Sequence, residues 1–362
     1  MVNEHDALRR KRPALVVPLQ EGASAQQWLR SRDLLDKDVR VGKTSTHILF
    51  PLSSIPEDAP WPVEEVGLEL RERPPTYTEL LKQRLPPPLH QFIPGSFDRL
   101  GELLLLKLET ELQPYKEVVG QSFLDSLPVR SVFQKGGDVT SRYRTIPWEC
   151  IAGDPSPVTT HRMEGLRFRV DVTEVYFNPR LNNEYARVAG LVDDGEVVVD
   201  MFAGVGPFVL TVASQRVVQV FACDLNPHAV RYLRENIVLN QRLLRGRVEV
   251  YEGDARQVVP SFPPAHHVLM NLPGHAPEFL DVAVRAVLPG GTIYLHQFAN
   301  LPVESPEQGL PVLQNDLEER LNSLTREIPT TPHEWSIRGR VLRDVAPSKS
   351  HLVWDITSIL ST

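Results

Sequence analysis

The chain has 362 residues, enough for two or three domains, with 41% hydrophobic and 23% charged residues, the profile of a soluble globular protein with a sizeable core. Its two cysteines, Cys150 and Cys223, exclude a disulfide framework and fit a reducing cytosol. The net charge of −7 argues mildly against a nucleic-acid partner, because phosphate binding relies on Lys and Arg. Local basic clusters nevertheless exist at Arg9-Arg10-Lys11-Arg12 and at Arg338-Gly339-Arg340 followed by Arg343. Met1 to Pro13 is charged with no apolar core behind it, so no secretory signal is expected. The nearest approach to an apolar span, Val197 to Ala213, is broken by Asp200, glycines and a proline, and a cytoplasmic protein without membrane attachment is expected.

Along the chain, Leu15 to Leu19 reads as a short strand, Ser24 to Arg32 as a helix and His47 to Leu52 as another strand. These make residues 1–72 a small N-terminal α/β domain. Residues 73–95 read as a linker punctuated by Pro74-Pro75 and Pro86-Pro87-Pro88, with a short helical stretch from Tyr77 to Leu85. A middle α+β domain over 96–170 contains Leu103 to Leu106, which fits either a strand or a helix segment. Strands are expected at Val129 to Gln134, Trp148 to Ala152 and Leu166 to Val172, with a turn at Lys135-Gly136-Gly137-Asp138.

Over 171–362 the pattern becomes regular. Val197 to Val199, Val218 to Ala222, Val248 to Tyr251, His267 to Met270 and Thr292 to Leu295 are five short apolar strands separated by helical stretches. Pro227 to Asn240 is a helix with Asn226 as N-cap and Pro227 in its first position; Ala276 to Val287 is a second, ending at Gly290-Gly291. Alternating strands and helices predict an α/β fold with a doubly wound, mostly parallel sheet of Rossmann-like type.

Three strand ends carry the chemistry. In Val199-Asp200-Met201-Phe202-Ala203-Gly204-Val205-Gly206-Pro207-Phe208, a strand enters a glycine turn and then a helix. The glycines admit a ligand close to the backbone. Val209 stands where a dinucleotide site wants its third glycine, and Pro207 deletes an amide, so a pyrophosphate cradle is disfavoured. Asp200 suits a ligand with positive charge. Asp224, followed by Leu225, ends the second strand about twenty residues on, where a nucleoside-binding fold accepts hydrogen bonds from ribose hydroxyls. Glu252-Gly253-Asp254-Ala255 ends the third, where an acid or amide reads the adenine amino group. Met270-Asn271-Leu272-Pro273 ends the fourth and resembles the Asn-Pro-Pro-Tyr-type motif of amino-methyltransferases, whose Asn holds the target nitrogen. Together these point to a methyltransferase domain that uses S-adenosyl-L-methionine (AdoMet).

Five further segments carry a more specific resemblance: Ser31 to Asp38, Phe97 to Leu103, Tyr143 to Gly153, Tyr176 to Glu184 and Val345 to His351. With them the chain resembles, over nearly its whole length, the tRNA (guanine-37, N1)-methyltransferase family of archaea and eukaryotes, a class I methyltransferase fold. The segment Asn178-Pro179-Arg180-Leu181 up to Glu184 discriminates, since the sister family of aminocarboxypropyl transferases in wybutosine synthesis tends to have Gly-Asn at Pro179-Arg180. The resemblance implies Glu184 as general base, Arg144 as stabiliser of the charge developing on O6, and Asn271 as orienting group. It implies a cofactor pocket lined by Tyr185, Phe202, Gly204, Asp224, Leu225, Asp254, Ala255, Asn271 and Pro273, with Tyr185 where relatives often carry Arg or His. It also implies a tRNA partner held at the anticodon loop and at a distal point by the N-terminal domain, and a monomeric enzyme. No metal is expected. Competing readings are a wyosine-pathway enzyme acting on the same nucleotide, a non-catalytic tRNA-binding relative, and a small-molecule or protein methyltransferase.

Overall fold

The computed structural model describes residues 9–70, 74–137, 143, 145–301, 306–327, 334–346 and 349–359. The chain divides into two compact units, 1–80 and 81–362.

In the first unit, β1 (Arg9–Pro18), α1 (Gly22–Ser31), β2 (Gly42–Lys43), β3 (His47–Pro51) and β4 (Val63–Glu69) form an antiparallel sheet in the order β2-β3-β1-β4 with one helix. Alternate residues of β1 and β3, Leu15, Val17 and Phe50, meet Ala25 and Leu29 of α1 in a small core. β4 carries three acidic residues, Glu64, Glu65 and Glu69, which disguise a strand whose inward face is little more than Val66 and Leu68.

α2 covers Tyr77–Arg84, and the division between the units falls after Leu80. A four-stranded sheet follows: β5 (Asp98–Leu100), β6 (Leu103–Leu106), α3 (Lys116–Ser126), β7 (Ser131–Lys135) and β8 (Trp148–Gly153), in the order β5-β6-β7-β8. Leu103–Leu106 is thus a strand, with α3 as the crossover between parallel β6 and β7. Gly120 lets α3 approach β8, since a Cβ there would lie 2.8 Å from that of Ala152. The hairpin β9 (Val158–Met163) and β10 (Leu166–Asp171) comes next.

The remaining elements are α4 (Asn182–Leu191), β11 (Val197–Asp200), α5 (Pro207–Gln215), β12 (Gln219–Asp224), α6 (Pro227–Asn240), β13 (Arg247–Glu252), α7 (Ala255–Val258), β14 (Ala265–Met270), α8 (Leu280–Ala286), β15 (Val287–Asn300), α9 (Pro306–Glu327), β16 (Glu334–Ala346) and β17 (Lys349–Ile359). Their seven-stranded sheet runs β13-β12-β11-β14-β15-β17-β16. β11 to β15 are parallel, and β17 and β16 add an antiparallel edge.

The period-two alternation of each strand sorts side chains to two faces. Val198, Val220, Ala222, Leu269 and Tyr294 join the core with α4, α5 and α6 residues. Val199, Phe221, Cys223, Val268, Met270, Ile293 and Leu295 join the other, with α7, α8 and α9 residues. The sheet is therefore doubly wound and mostly parallel, as expected. Asn236 and Asn240, buried one turn apart on α6, satisfy the backbone of β10: each accepts from and donates to Arg169 and Arg167 respectively, at 2.7–3.2 Å.

One expected boundary is corrected. The helix expected over Ala276–Val287 is a 3-10 turn followed by α8 and stops at Ala286; Val287 already belongs to β15. Gly290-Gly291 does not end that helix but lies inside β15, where pairing with β14 shifts register between Ala265 and His267. A Cβ on Gly291 would stand 2.8 Å from the His266 carbonyl, so the glycine serves close strand approach.

Candidate active site

The carboxyl ends of β11, β12, β13 and β14 open onto one cavity, the position at which parallel α/β sheets hold ligands. Tyr185, Phe202, Gly204, Asp224, Leu225, Asp254, Ala255, Asn271 and Pro273 all line it.

The ends of β11, β12 and β13 turn by the same local device. The Asp224 carboxylate accepts from Asn226 N at 2.9 Å, and that of Asp254, N-cap of α7, accepts from Arg256 N at 2.9 Å. Asp224 also accepts from Gly204 N at 2.7 Å, which ties the glycine turn to the second strand. Burial pushes the Asp224 carboxyl up, and the amides of Asn226 and Gly204 oppose that. Gly204 is left-handed at φ +54°, and a Cβ there would meet only the Tyr176 carbonyl at 3.8 Å, so the missing side chain leaves the cavity open. Gly206 is left-handed at φ +89° and caps α5, with a virtual Cβ 2.3 Å from Leu233 Cδ1.

Asp200 does not reach the cavity. It is 1% exposed, and its carboxylate accepts from Phe202 N at 3.2 Å. Burial, with Asp224 nearby, pushes it up to about 7. The acid that faces a ligand is Asp224.

The fourth strand leads into Asn271-Leu272-Pro273, held by Leu272 O accepting from His275 N and Ala276 N at 2.8 and 2.7 Å and by Pro273 O accepting from Phe298 N at 2.9 Å. Phe202 and Phe279 meet edge to face at 5.0 Å and form an apolar wall. Tyr185 is 1% exposed, packs edge to face on Phe208 at 4.7 Å and donates its hydroxyl to the Asn178 carbonyl at 3.0 Å. Burial raises it well above the ordinary tyrosine range, so it stands as a neutral anchor for the 176–181 segment rather than as a charged ligand group.

Glu184 is not among the cavity's lining residues. It is 2% exposed and bound by Arg187 and Arg340 at 2.7–2.9 Å. Arg144 lies outside the described residues; its neighbour Tyr143 lines the cavity. The cavity also takes Arg343 of β16 and His351 of β17. Arg340 and Arg343 belong to one of the basic clusters visible in the sequence, but nothing local there announces which of its arginines faces inward. His351 lies with its Nε2 3.0 Å from Nδ1 of buried His296, and burial drives His296 well below the usual histidine range.

The profile of the TRM5/TYW2 methyltransferase domain matches residues 159–315, and that of the TYW2 N-terminal domain matches 77–156. A tRNA (guanine(37)-N(1))-methyltransferase, Trm5b of Pyrococcus abyssi, is 36% identical over 286 residues, 79% of this chain and 84% of that protein. The chain belongs to the TRM5/TYW2 methyltransferase family. Its fold is that of the family's solved members. The crystal structure of Trm5b from Pyrococcus abyssi superposes with a TM-score of 0.75 at 33% identity, covering 96% of this chain and all of that one. A complex of aTrm5 with tRNALeu gives 0.70 at 25% identity, over 95% and 99% of the two chains. TYW2 of P. horikoshii, in complex with MeSAdo, gives 0.63 at 28% identity, over 79% and 98%.

As a member of this family the chain is an AdoMet-dependent methyltransferase. The cavity suits the cofactor. Asp224 and Asp254 offer acceptors to a nucleoside, the Phe202–Phe279 wall offers an apolar face, and the Gly204 cradle is space that a Cβ would fill. Among the described residues no group of three His, Cys, Asp or Glu side chains is placed to hold a metal, and no helix is long and apolar enough to cross a membrane.

Proposed function

We propose that the protein methylates N1 of guanosine-37 in the anticodon loop of tRNA. What carries this reading is the convergence of Gly204, Asp224 and Asn271 on one cavity in a chain 36% identical to an enzyme named for that reaction. When bound, AdoMet supplies an activated methyl group whose transfer demands chiefly proximity and alignment. Guanine N1 carries a proton at neutral pH, so a base must remove it, and Glu184 takes that role. Arg144 stabilises the negative charge that builds on O6. Asn271, at the end of β14, orients the target nitrogen. Glu184 begins inside an arginine cluster, so its action requires the carboxylate to give up part of that pairing as the base arrives.

The target nucleotide is extruded from the loop to enter the cavity. The N-terminal domain contacts the tRNA at a distance from it, through shape and backbone. The enzyme acts in the cytoplasm as a monomer, with a division into 1–72, 73–95, 96–170 and 171–362. Incubation with labelled AdoMet and unmodified transcripts carrying G37 or A37, followed by nucleoside mass analysis, tests the reading. N1-methylguanosine from the G37 transcript alone supports it, and no product on either rejects it.

One observation favours a second reading. Residues 77–156 match the N-terminal domain of TYW2, the sister branch, in which the aminocarboxypropyl group is the expected cargo. A heavier product on a wyosine-precursor tRNA, with no methyl transfer to G37, selects that branch.

A further inference from the structure

The carboxylate of Glu184 lies in a closed cluster of four charges drawn from α4, β16 and β17. Arg187 donates Nε to Oε2 and Nη2 to Oε1, both at 2.9 Å. Arg340 donates Nη2 to both Glu184 oxygens at 2.7 Å. Both guanidiniums also donate to Asp355, Arg187 at 2.8 and 3.0 Å and Arg340 at 3.2 and 3.3 Å. Two positive and two negative groups leave the cluster neutral. Exposure runs from 2% at Glu184 to 33% at Arg340, so the cluster is shielded on the acid side and reached by solvent on the arginine side. Among the described residues, Tyr294 and His296 of β15 also face it: the Tyr294 ring lies 5.5 Å from the Arg187 guanidinium, and the charges of Arg340 and Arg187 add to the burial that drives His296 down.

The cluster borders the cavity on two elements. Leu181, three residues before Glu184, and Tyr185, the next residue, line the cavity, as does Arg343, three residues after Arg340. Arg187 shares α4 with Glu184 and would accompany it in any movement of that helix. Arg340 is the partner that ties the carboxylate to the antiparallel edge of the sheet.

We propose that Arg340 is a positioning residue for Glu184, holding its carboxylate oriented for proton removal, with Asp355 balancing the charge of the two arginines. The proposal rests on the reading of Glu184 as the base. Without Arg340 the carboxylate keeps only Arg187, its neighbour on α4, and loses its tie to the sheet.

The test is single-turnover methyl transfer from labelled AdoMet to an unmodified G37 transcript, with AdoMet affinity measured alongside, for wild type, Glu184→Gln, Arg340→Met and Arg340→Lys, and for both Arg340 variants in the Glu184→Gln background. Arg340→Met loses roughly tenfold or more in rate, as for loss of a hydrogen bond between charged groups. Arg340→Lys recovers part of that loss, since an ammonium keeps the charge but not the fork geometry. In the Glu184→Gln background neither Arg340 variant costs anything further, because no carboxylate is left to position. AdoMet affinity stays as in wild type throughout. Should Arg340→Met not fold, Arg340→Lys, alone and in the Glu184→Gln background, decides. A wild-type rate in the Arg340 variants, or an equal further loss in the Glu184→Gln background, overturns the positioning role while a slow Glu184→Gln leaves the base reading standing. A wild-type rate in Glu184→Gln removes both.

Discussion

The cofactor cavity and the charge cluster are two polar sites in one sheet, and they are built in opposite ways. At the strand ends each acid accepts from an amide two residues on: Asp200 from Phe202 N, Asp224 from Asn226 N and Asp254 from Arg256 N, with Gly204 N as a second donor to Asp224. The site is a row of local turns that the parallel strands bring side by side. In the cluster, Arg340 and Asp355 come from distant parts of the chain to join Glu184 and Arg187, a pair three residues apart on α4. A site made of turns keeps its shape when one side chain is lost and forfeits only that side chain's ligand contact. A site made of charges paired around a buried carboxylate has no such independence, because each deletion leaves an uncompensated partner.

The comparison predicts which property each substitution moves. The largest effect belongs to Glu184→Gln, which lowers the single-turnover methyl-transfer rate about 100-fold or more, the lower range for a lost general base. AdoMet affinity, measured by calorimetry, stays within a factor of about three, within the spread expected of an interaction energy not involving the cofactor. Equal weakening of AdoMet binding would mean that cavity and cluster are one site. Asp224→Ala does the converse: AdoMet dissociation rises roughly tenfold or more, as for loss of a hydrogen bond to a charged acceptor. An unchanged affinity would remove Asp224 from the cofactor's contacts.

Smaller effects fall on stability. Gly206→Ala forces a side chain into the left-handed region against Leu233 and should cost about 1–2 kcal/mol in denaturant unfolding. No loss would show that the turn relaxes freely. Asp200→Asn gives the smallest shift and the clearest sign. Burial raises Asp200 to about 7 in the folded protein, above its ordinary value of 3.8, so the folded state binds the extra proton. Wild-type stability therefore gains as pH falls from about 7 toward 4, and the burden of an ionised Asp200 is present above 7. The asparagine, still able to accept from Phe202 N, should raise Tm most at pH 8, with the advantage shrinking toward pH 5. A pH-independent difference would contradict the burial of that charge.

Much of the catalytic sheet was legible because its signals are local. The β-branched runs of β11 and β12, the glycine turn and the Asn226-Pro227 start of α6 each state their structure within a few residues, and Asn226 indeed accepts from His228 N. The antiparallel strands were harder. β4 is interrupted by acids, β9 reads Val-Thr-Thr-His-Arg-Met, and β16 alternates Arg, Gly and Asp with apolar residues, so none shows a continuous apolar run. Gly290-Gly291 misled for a related reason: a glycine pair stops a helix in isolation, but here it lets two backbones approach. Arg340 and Arg343 were visible as a basic cluster, while their inward placement was not.

The amino-acid sequence by itself determined the alternation of strand and helix, the glycine and acid turns at the strand ends, and through them the class of cofactor, because capping, turn geometry and hydrophobic period act over two to four residues. Only the tertiary structure decided that Asp224 rather than Asp200 faces the cavity and that Tyr185 is a neutral anchor. It also decided that Glu184 begins between two arginines, one of them 156 residues away. Those outcomes depend on burial and on charges meeting across the sheet, and neither is a property of any short stretch of chain.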